Sequence, residues 1–416
     1  MSEAATETLV QPSARKAAQP RWVVTILLAG LATLGPFSID TYFPAFNAIA
    51  ADLGARPFEM QQTLSVYLLG FAFMLLFHGA LSDSFGRRPV ILVSLIVFTL
   101  ASAASAASTN IHTLLIFRLI QGLSCGAGMV VGRAIIRDLY APVEAQKMMS
   151  QVTMIFGLAP AIAPIIGGWL FVAFGWHSIF VFITAVAIAL FVACGRYLPE
   201  SLPEQSRQSF HLARLAESYR AVLLSRRFLL LSLALGFNFS AFFLYIASAP
   251  AFVQGMLGLE PTQYAWLFLP CIAGIMIGAY ISGRSAGRVR PERAVGYGYA
   301  IMSGAALINL LYNLLAPLSL PWAVLPLLGY TLGMSLTMPA ITLLVLDLFP
   351  SMRGMAASLQ SFISTLMNSL VSGLLAPLLA LAHQTLALGL LGLMGGGAIC
   401  WLAYCRLPQH LPYPES

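Results

Sequence analysis

Charge is what this sequence has least of: 9% of its 416 residues are Asp, Glu, Lys or Arg, against about 25% in soluble globular chains. So few ionic groups cannot cover a water-exposed surface, which excludes a soluble fold of two or three domains. Lysine is confined to Lys16 and Lys147. Neither follows a phosphate-cradling glycine loop, which removes an ATP-driven pump. The words His-Glu-x-x-His and Gly-x-Ser-x-Gly do not occur, which disfavours a membrane-embedded enzyme. Cys125, Cys194, Cys271, Cys400 and Cys405 lie in apolar runs or at their ends, without metal spacing. They read as small buried hydrophobes, so neither a disulfide nor a metal site is expected. No short apolar stretch with a cleavage site precedes Trp22, so the first apolar segment is expected to be retained.

What remains is apolar: 59% of the residues are hydrophobic and the mean hydropathy is +0.84. Runs of roughly 20 apolar residues recur along the chain, each long enough to cross a hydrocarbon core about 30 Å thick as a helix. Twelve such spans are expected, beginning near Trp22, Met60, Val90, His112, Met148 and Ser178, then near Phe228, Thr262, Ala294, Trp322, Met355 and Leu386. The one long polar stretch, 199–227, divides them. The expected class is therefore an all-α membrane protein. It would have a tail over 1–21, a six-helix bundle over 22–198, a linker over 199–227, a second six-helix bundle over 228–406 and a tail over 407–416, the two bundles being pseudo-symmetric. Phe210, Leu215, Tyr219 and Leu223 recur at helical spacing within the linker, which suits a helix lying along the membrane surface.

The net charge of +7 follows from topology and does not call for nucleic acid. If both termini are cytoplasmic, all Lys and Arg except Arg56 and Arg118 fall in or beside cytoplasmic segments, as the positive-inside rule requires. Small residues one turn apart, Gly122 with Gly126 and Gly128 with Gly132, mark a face of the fourth span where another backbone can approach.

Two ionic residues lie well inside the bilayer. Asp40 precedes the outer end of span 1 and Arg118 follows the outer start of span 4, each about 10 Å deep at 1.5 Å per residue. A charge at such depth costs about 2.5 kcal/mol or more, so its default reading is functional. Two readings stand: a static pair fixing spans 1 and 4, or a titrating site. Span 7 carries Phe237, Asn238, Phe239, Phe242, Phe243 and Tyr245. An aromatic wall with one amide suits apolar ligands of varied shape, although most such rings can equally face lipid. Asn238 and Phe242, with Tyr42, Tyr67, Gln121, Met334, Met338, Gln360 and Asn368, are the candidate cavity residues. His78 reads as a packing residue at the cytoplasmic interface.

The strongest local pattern is Gly79-Ala-Leu-Ser-Asp83-Ser-Phe-Gly86-Arg87-Arg88-Pro89, between spans 2 and 3. Its glycines permit a tight turn, Asp83 can pair with basic residues, and Arg87 can meet acids or helix carboxyl ends. It reads as a conformational latch, with Arg137, Asp138, Asp347 and Arg353 as further members of a cytoplasmic charge network. This segment resembles the signature loop of major facilitator superfamily transporters. Arg118-Leu-Ile-Gln121-Gly122-Leu-Ser-Cys-Gly126 resembles the span 4 motif of proton-coupled members. Gly157, Pro160, Pro164, Gly167, Gly168 and Trp169 resemble the span 5 antiporter motif, with Ala163 where a glycine usually precedes Pro164. Ser38-Ile-Asp40-Thr-Tyr42-Phe-Pro44, Arg137-Asp138-Leu-Tyr140 and Leu198-Pro199-Glu200 are similar to the Bcr/CflA group of bacterial multidrug exporters.

The resemblance implies a drug/proton antiporter of the bacterial inner membrane in which two bundles rock about a central cavity. Small organic molecules and protons would be its substrates, the proton gradient its only driver with no cofactor, and the monomer its working unit. It further implies that Arg118 is essential to coupling and that Asp40 is a protonatable or substrate-sensing group. Proton-coupled nutrient uptake is the alternative, and the antiporter-like segment argues against it. The second-half counterpart of the turn, Gly278 to Arg288, has no acid matching Asp83, so the latch is expected to be asymmetric.

Overall fold

Proline and glycine set where many of the spans begin and end. Pro57, Pro142 and Pro291 each occupy the first turn of a helix, where the missing N–H is no loss and the fixed φ suits the helix. Gly86 and Gly175 close helices with φ of 99° and 78°, values that side chains disfavour. The computed structural model describes residues 20–408 except Ala286, and the tails expected over 1–21 and 407–416 lie almost wholly outside the described residues.

The first half contains α1 (Arg21–Asp40), α2 (Phe46–Asp52), α3 (Pro57–Leu75), α4 (His78–Phe85), α5 (Arg87–Ala106), α6 (Ile111–Leu139), α7 (Pro142–Phe174) and α8 (His177–Tyr197). A linker helix, α9 (Leu212–Leu223), leads to α10 (Arg226–Ala247), α11 (Ala265–Ser285), α12 (Pro291–Leu315) and α13 (Leu325–Leu348). The second half closes with α14 (Arg353–Leu370), α15 (Ala376–Leu379) and α16 (His383–Cys405). Among the described residues eleven helices are long and apolar enough to cross a bilayer, and α3 with α4, bent by 48°, makes a twelfth when the pair is counted as one span. The observed starts lie within about three residues of the expected ones except in span 5. That helix begins at Pro142, six residues before Met148, because its first two turns carry Glu144 and Lys147 out past the apolar zone.

Within each half, helices meet where side chains are smallest. A Cβ on Gly122 of α6 would strike the carbonyl of Tyr67 on α3, and one on Gly128 would stand 2.6 Å from Leu31 O of α1. In the second half Gly274 and Gly278 of α11 press in the same way on the backbone of α13. Close approach of this kind supplies the dispersion contacts that replace a hydrophobic driving force inside lipid.

The start of α1, the end of α16, the turn motif and α9 share one face of the molecule, here the terminal face. At the far face a seam of uncharged hydrogen bonds joins the halves. Gln61 Nε2 donates to Ala247 O (2.9 Å) and Gln62 Nε2 to Gly373 O (2.8 Å). Ser65 and Ser369 each donate to the other's carbonyl, at 2.9 and 2.8 Å. Gln254, in a π-helical turn over Pro250–Met256, donates to Pro44 O at 2.9 Å and accepts from Asn47 Nδ2 at 3.1 Å. Tyr264 donates to Phe43 O at 3.0 Å. On the terminal face Arg133, Arg137, Asp347 and Arg353 are exposed.

Candidate functional site

Arg118 projects from α6 into the first half and is fully buried. Its guanidinium carbon lies 4.6 Å from the Tyr42 ring centroid and 4.5 Å from that of Tyr67, a pair of cation–π contacts that partly replaces lost hydration. Nη1 donates to Ser38 O (3.0 Å), Ser38 Oγ (3.1 Å) and Gln121 Oε1 (3.0 Å). Nε and Nη2 are buried without a protein partner. An arginine with half its donors unused inside a membrane protein is poised for an acceptor that comes and goes.

Asp40 ends α1 two residues after Ser38 and is 4% exposed. Four ion pairs occur among the described residues: Arg21 with Glu144, Arg56 with Glu59, and Arg87 with both Asp83 and Asp138. Asp40 with Arg118 is not among them. The static pair considered from the sequence is thus not made in this structure: Nη1 is taken by Ser38 and Gln121, and the rings of Tyr42 and Tyr67 lie over the guanidinium. Tyr42 donates to or accepts from Thr63 Oγ1 at 3.1 Å, which ties the residues after Asp40 to α3.

Several expected cavity residues turn inward within their own half. Gln121 donates to Ser102 Oγ of α5 at 2.7 Å, so it steadies Arg118 and does not face the space between the halves. Asn238 Nδ2 donates to Tyr299 of α12 at 3.0 Å, and the Asn238 backbone carbonyl accepts from Tyr330 of α13 at 2.9 Å, while Oδ1 is buried without a partner. It is a knot inside the second half. Asn368 of α14 accepts from Ser240 of α10 at 2.8 Å. Phe242 meets Phe239 edge-on at 6.1 Å, and Met334 is buried while Met338 is partly exposed. Gln360 is buried with its amide nitrogen unpartnered, which makes it the second-half candidate with a free donor. A cavity of about 600 Å³ lies elsewhere, between α12 and α13, lined by Gly304, Tyr312, Trp322, Pro326 and Gly329 among others. It holds no titratable group beyond one phenol and touches none of the residues above.

The turn motif is engaged within the first half. Arg87 Nε donates to Asp138 Oδ2 at 3.1 Å, Nη1 to Ser82 Oγ at 2.7 Å, and Nη1 also to Asp83. Arg88 donates to the Gly195 carbonyl. The sequence missed Glu200 as a partner: its carboxylate accepts from the Arg87 and Arg88 backbone N–H groups at 3.0 and 3.1 Å. The only sequence sign was an acid at the end of span 6. Arg137, Asp347 and Arg353, expected in this network, are exposed and outside the ion pairs of the described residues. They sit on helix ends that nothing from the other half covers here.

The span 5 segment runs through Pro160 and Pro164 as one continuous helix. A Cβ on Gly167 would strike the Thr41 backbone, and one on Gly168 the Pro261 carbonyl of the second half. A Cβ on Gly157 would meet open space, so this motif glycine makes no close helix contact here, and one on Gly79, in α4 of the turn motif, would meet only Val130, at 3.9 Å. A Cβ on Gly126 would stand 3.1 Å from a Phe71 ring atom and 3.2 Å from His78 Nδ1, side chains that can yield by rotation.

Comparison with known proteins follows the same lines. The family model described as Major Facilitator Superfamily matches residues 26–372. The bicyclomycin resistance protein homolog of Haemophilus influenzae is 30% identical over 289 residues, 69% of this chain and 73% of that protein. Multidrug resistance protein D of Escherichia coli (strain K12) is 27% identical over 400 residues, 94% of this chain and 97% of that one. A crystal structure of a bacterial homolog to the human lysosomal transporter Spinster, inward-facing and unoccupied, superposes with a TM-score of 0.71 at 17% identity. It covers 92% of this chain and 96% of its own, and its likeness is one of fold.

Proposed function

This chain belongs to the major facilitator superfamily, and from that premise we propose that it is a proton-driven exporter of small organic molecules, antibiotics among them. It is a transporter rather than an enzyme, a multi-pass membrane protein whose two six-helix halves alternate access to a site between them. The names of its relatives, resistance proteins for bicyclomycin and for multiple drugs, supply the substrate class. The observation that carries the coupling is the layer of Asp40 and Arg118: two buried groups of opposite charge on neighbouring helices, Arg118 held by Tyr42 and Ser38 on either side of Asp40 in sequence, yet the two not ion-paired. On this reading Asp40 is the proton carrier, and when its proton leaves, the carboxylate can pair with the unpartnered Nε and Nη2 of Arg118. Substrate capture then favours the deprotonated site and proton loading favours release.

On this reading the terminal face is cytoplasmic, where the arginines gather, and the membrane is the bacterial inner membrane. The far-face seam supports an inward-facing reading of this structure. Met338 and Gln360 are the second-half groups we assign to the substrate path, with Tyr42 and Tyr67 opposite. The driver is the proton gradient without a cofactor, and each chain holds one complete pathway, so the monomer is the working unit. The test is purified protein in liposomes with an imposed pH gradient and a panel including bicyclomycin and chloramphenicol. Drug moving against the proton flux is expected. Drug and protons moving together would make it a symporter, and no gradient-driven flux for any compound would sink the reading.

A further inference from the structure

The N-terminus of α5 lacks a cap of its own. Its Ncap residue is Gly86, which offers no side chain, and the first N–H groups of a helix have no partner within it. The missing acceptor arrives from 113 residues away. Glu200 Oε1 accepts from Arg87 N at 3.0 Å and from Leu202 N at 2.9 Å, while Oε2 accepts from Arg88 N at 3.1 Å. A carboxylate on the positive end of a helix dipole, with three charge-assisted bonds, is held firmly even at a wet membrane face. Gly86 itself is explained by this acid. Besides its φ of 99°, a Cβ there would stand 2.7 Å from Glu200 Oε2 and 3.1 Å from Arg207 Nη2.

The bonds around Glu200 form one block. Ser201 Oγ donates to Asp138 Oδ2 at 2.9 Å, the same oxygen that receives Arg87 Nε. Gln208 N donates to Asp83 O at 3.0 Å. Farther along, Tyr219 of α9 donates to Leu76 O at 2.8 Å, between α3 and α4, and burial pushes its phenol up to about 12, so it stays a donor at neutral pH. The linker therefore lies on the turn motif and follows the first half, while α9 also packs on α10 and α14 of the second.

We infer that Glu200 is the positioning residue of the turn motif: by capping α5 it fixes the backbone from which Arg87 reaches Asp83 and Asp138, and it ties the inter-half linker to that turn. The meaning of the latch rests on the exporter reading, so the experiment measures conformation separately from drug flux. Spin labels at Gln146→Cys and Arg290→Cys, in a chain whose five native cysteines are serine, report the separation of the halves at the terminal face in nanodiscs. Glu200→Ala should change the ratio of the two states about fivefold, the scale of a lost N-cap, in the same direction as Asp138→Asn. Glu200→Gln, which keeps an acceptor for Arg87 but sets an amide N–H against Arg88, should fall between Ala and wild type. The Glu200→Ala, Asp138→Asn double variant should shift less than the sum of its parts. In liposomes the maximal rate should fall with KM unchanged. An unshifted ratio, strict additivity, or a lower Tm with wild-type populations would each overturn the positioning role. Should Glu200→Ala give no monodisperse protein, the graded Glu200→Gln response and its additivity with Asp138→Asn decide. Shifted populations without flux of any drug would remove the exporter reading and leave this one standing.

Discussion

Replacing Gln254 by alanine should open the far face. Its amide reaches across the halves twice, donating to Pro44 O at 2.9 Å and accepting from Asn47 at 3.1 Å. A third bond, to Tyr264 Oη at 3.0 Å, stays within the second half. A net hydrogen bond contributes about 0.5–1.5 kcal/mol. Gln254 is only partly buried and water can replace some of what is lost, so the two cross-half bonds should stabilise the closed seam by about 1–2 kcal/mol. That corresponds to an outward-open population raised roughly 5- to 30-fold relative to the closed one. The assay is the distance between spin labels at Asp52→Cys and Glu260→Cys in nanodiscs, with the native cysteines removed. Tyr264 keeps its bond to Phe43 O, so the fold should survive and Tm should barely move. A wild-type distance distribution in Gln254→Ala would refute the claim that these bonds hold the far face shut.

Asp40→Asn should flatten the pH dependence of drug binding, followed by equilibrium binding between pH 5 and 8, and Arg118→Ala should abolish gradient-driven export. An unchanged pH profile in Asp40→Asn would move the proton site elsewhere. Gly122→Leu must displace the α3 backbone at Tyr67 and should cost well over ~1–3 kcal/mol, giving aggregated or unexpressed protein; Gly157→Leu, facing open space, should express and fold normally, and chromatographic profiles compare the two. Asp83→Ala should alter the balance of states while leaving drug affinity within about twofold, and affinity lost with unchanged populations contradicts a latch. Raising salt from about 0.05 to 1 M screens exposed charges to a Debye length near 3 Å. It should shift the populations of wild type more than those of Asp83→Ala.

The spans and the linker were legible because a bilayer demands long apolar runs whatever the packing inside. Span 5 alone was misjudged at its start, since hydropathy is silent about a helix that continues past the lipid through Glu144 and Lys147. The burial of Arg118 and the turn motif were likewise legible, being a rare charge and a spaced glycine word. What the sequence could not carry was facing. Helices apolar on every side have no face that periodicity can single out, so Gln121 and Asn238 read equally well toward a cavity or toward Ser102 and Tyr299. Glu200 was hidden for another reason: a cap supplied from 113 residues away leaves no local signature. Asp347 and Arg353 bracket the end of span 10 as Arg137 and Asp138 mark the end of span 4, but of these four only Asp138 has an ion-pair partner among the described residues, Arg87.

The acceptors along the far-face seam are nearly all main-chain oxygens, those of Phe43, Pro44, Ala247, Ser369 and Gly373. A main-chain oxygen persists through any substitution of the residue that carries it. Heritable tuning of this gate is therefore concentrated on the donor side, at Asn47, Gln61, Gln62, Ser65, Gln254, Tyr264 and Ser369. Under selection for altered export, variants that bias the far face should accumulate at those positions while Ala247 and Pro44 drift without effect on it, an asymmetry that deep mutational scanning can read directly.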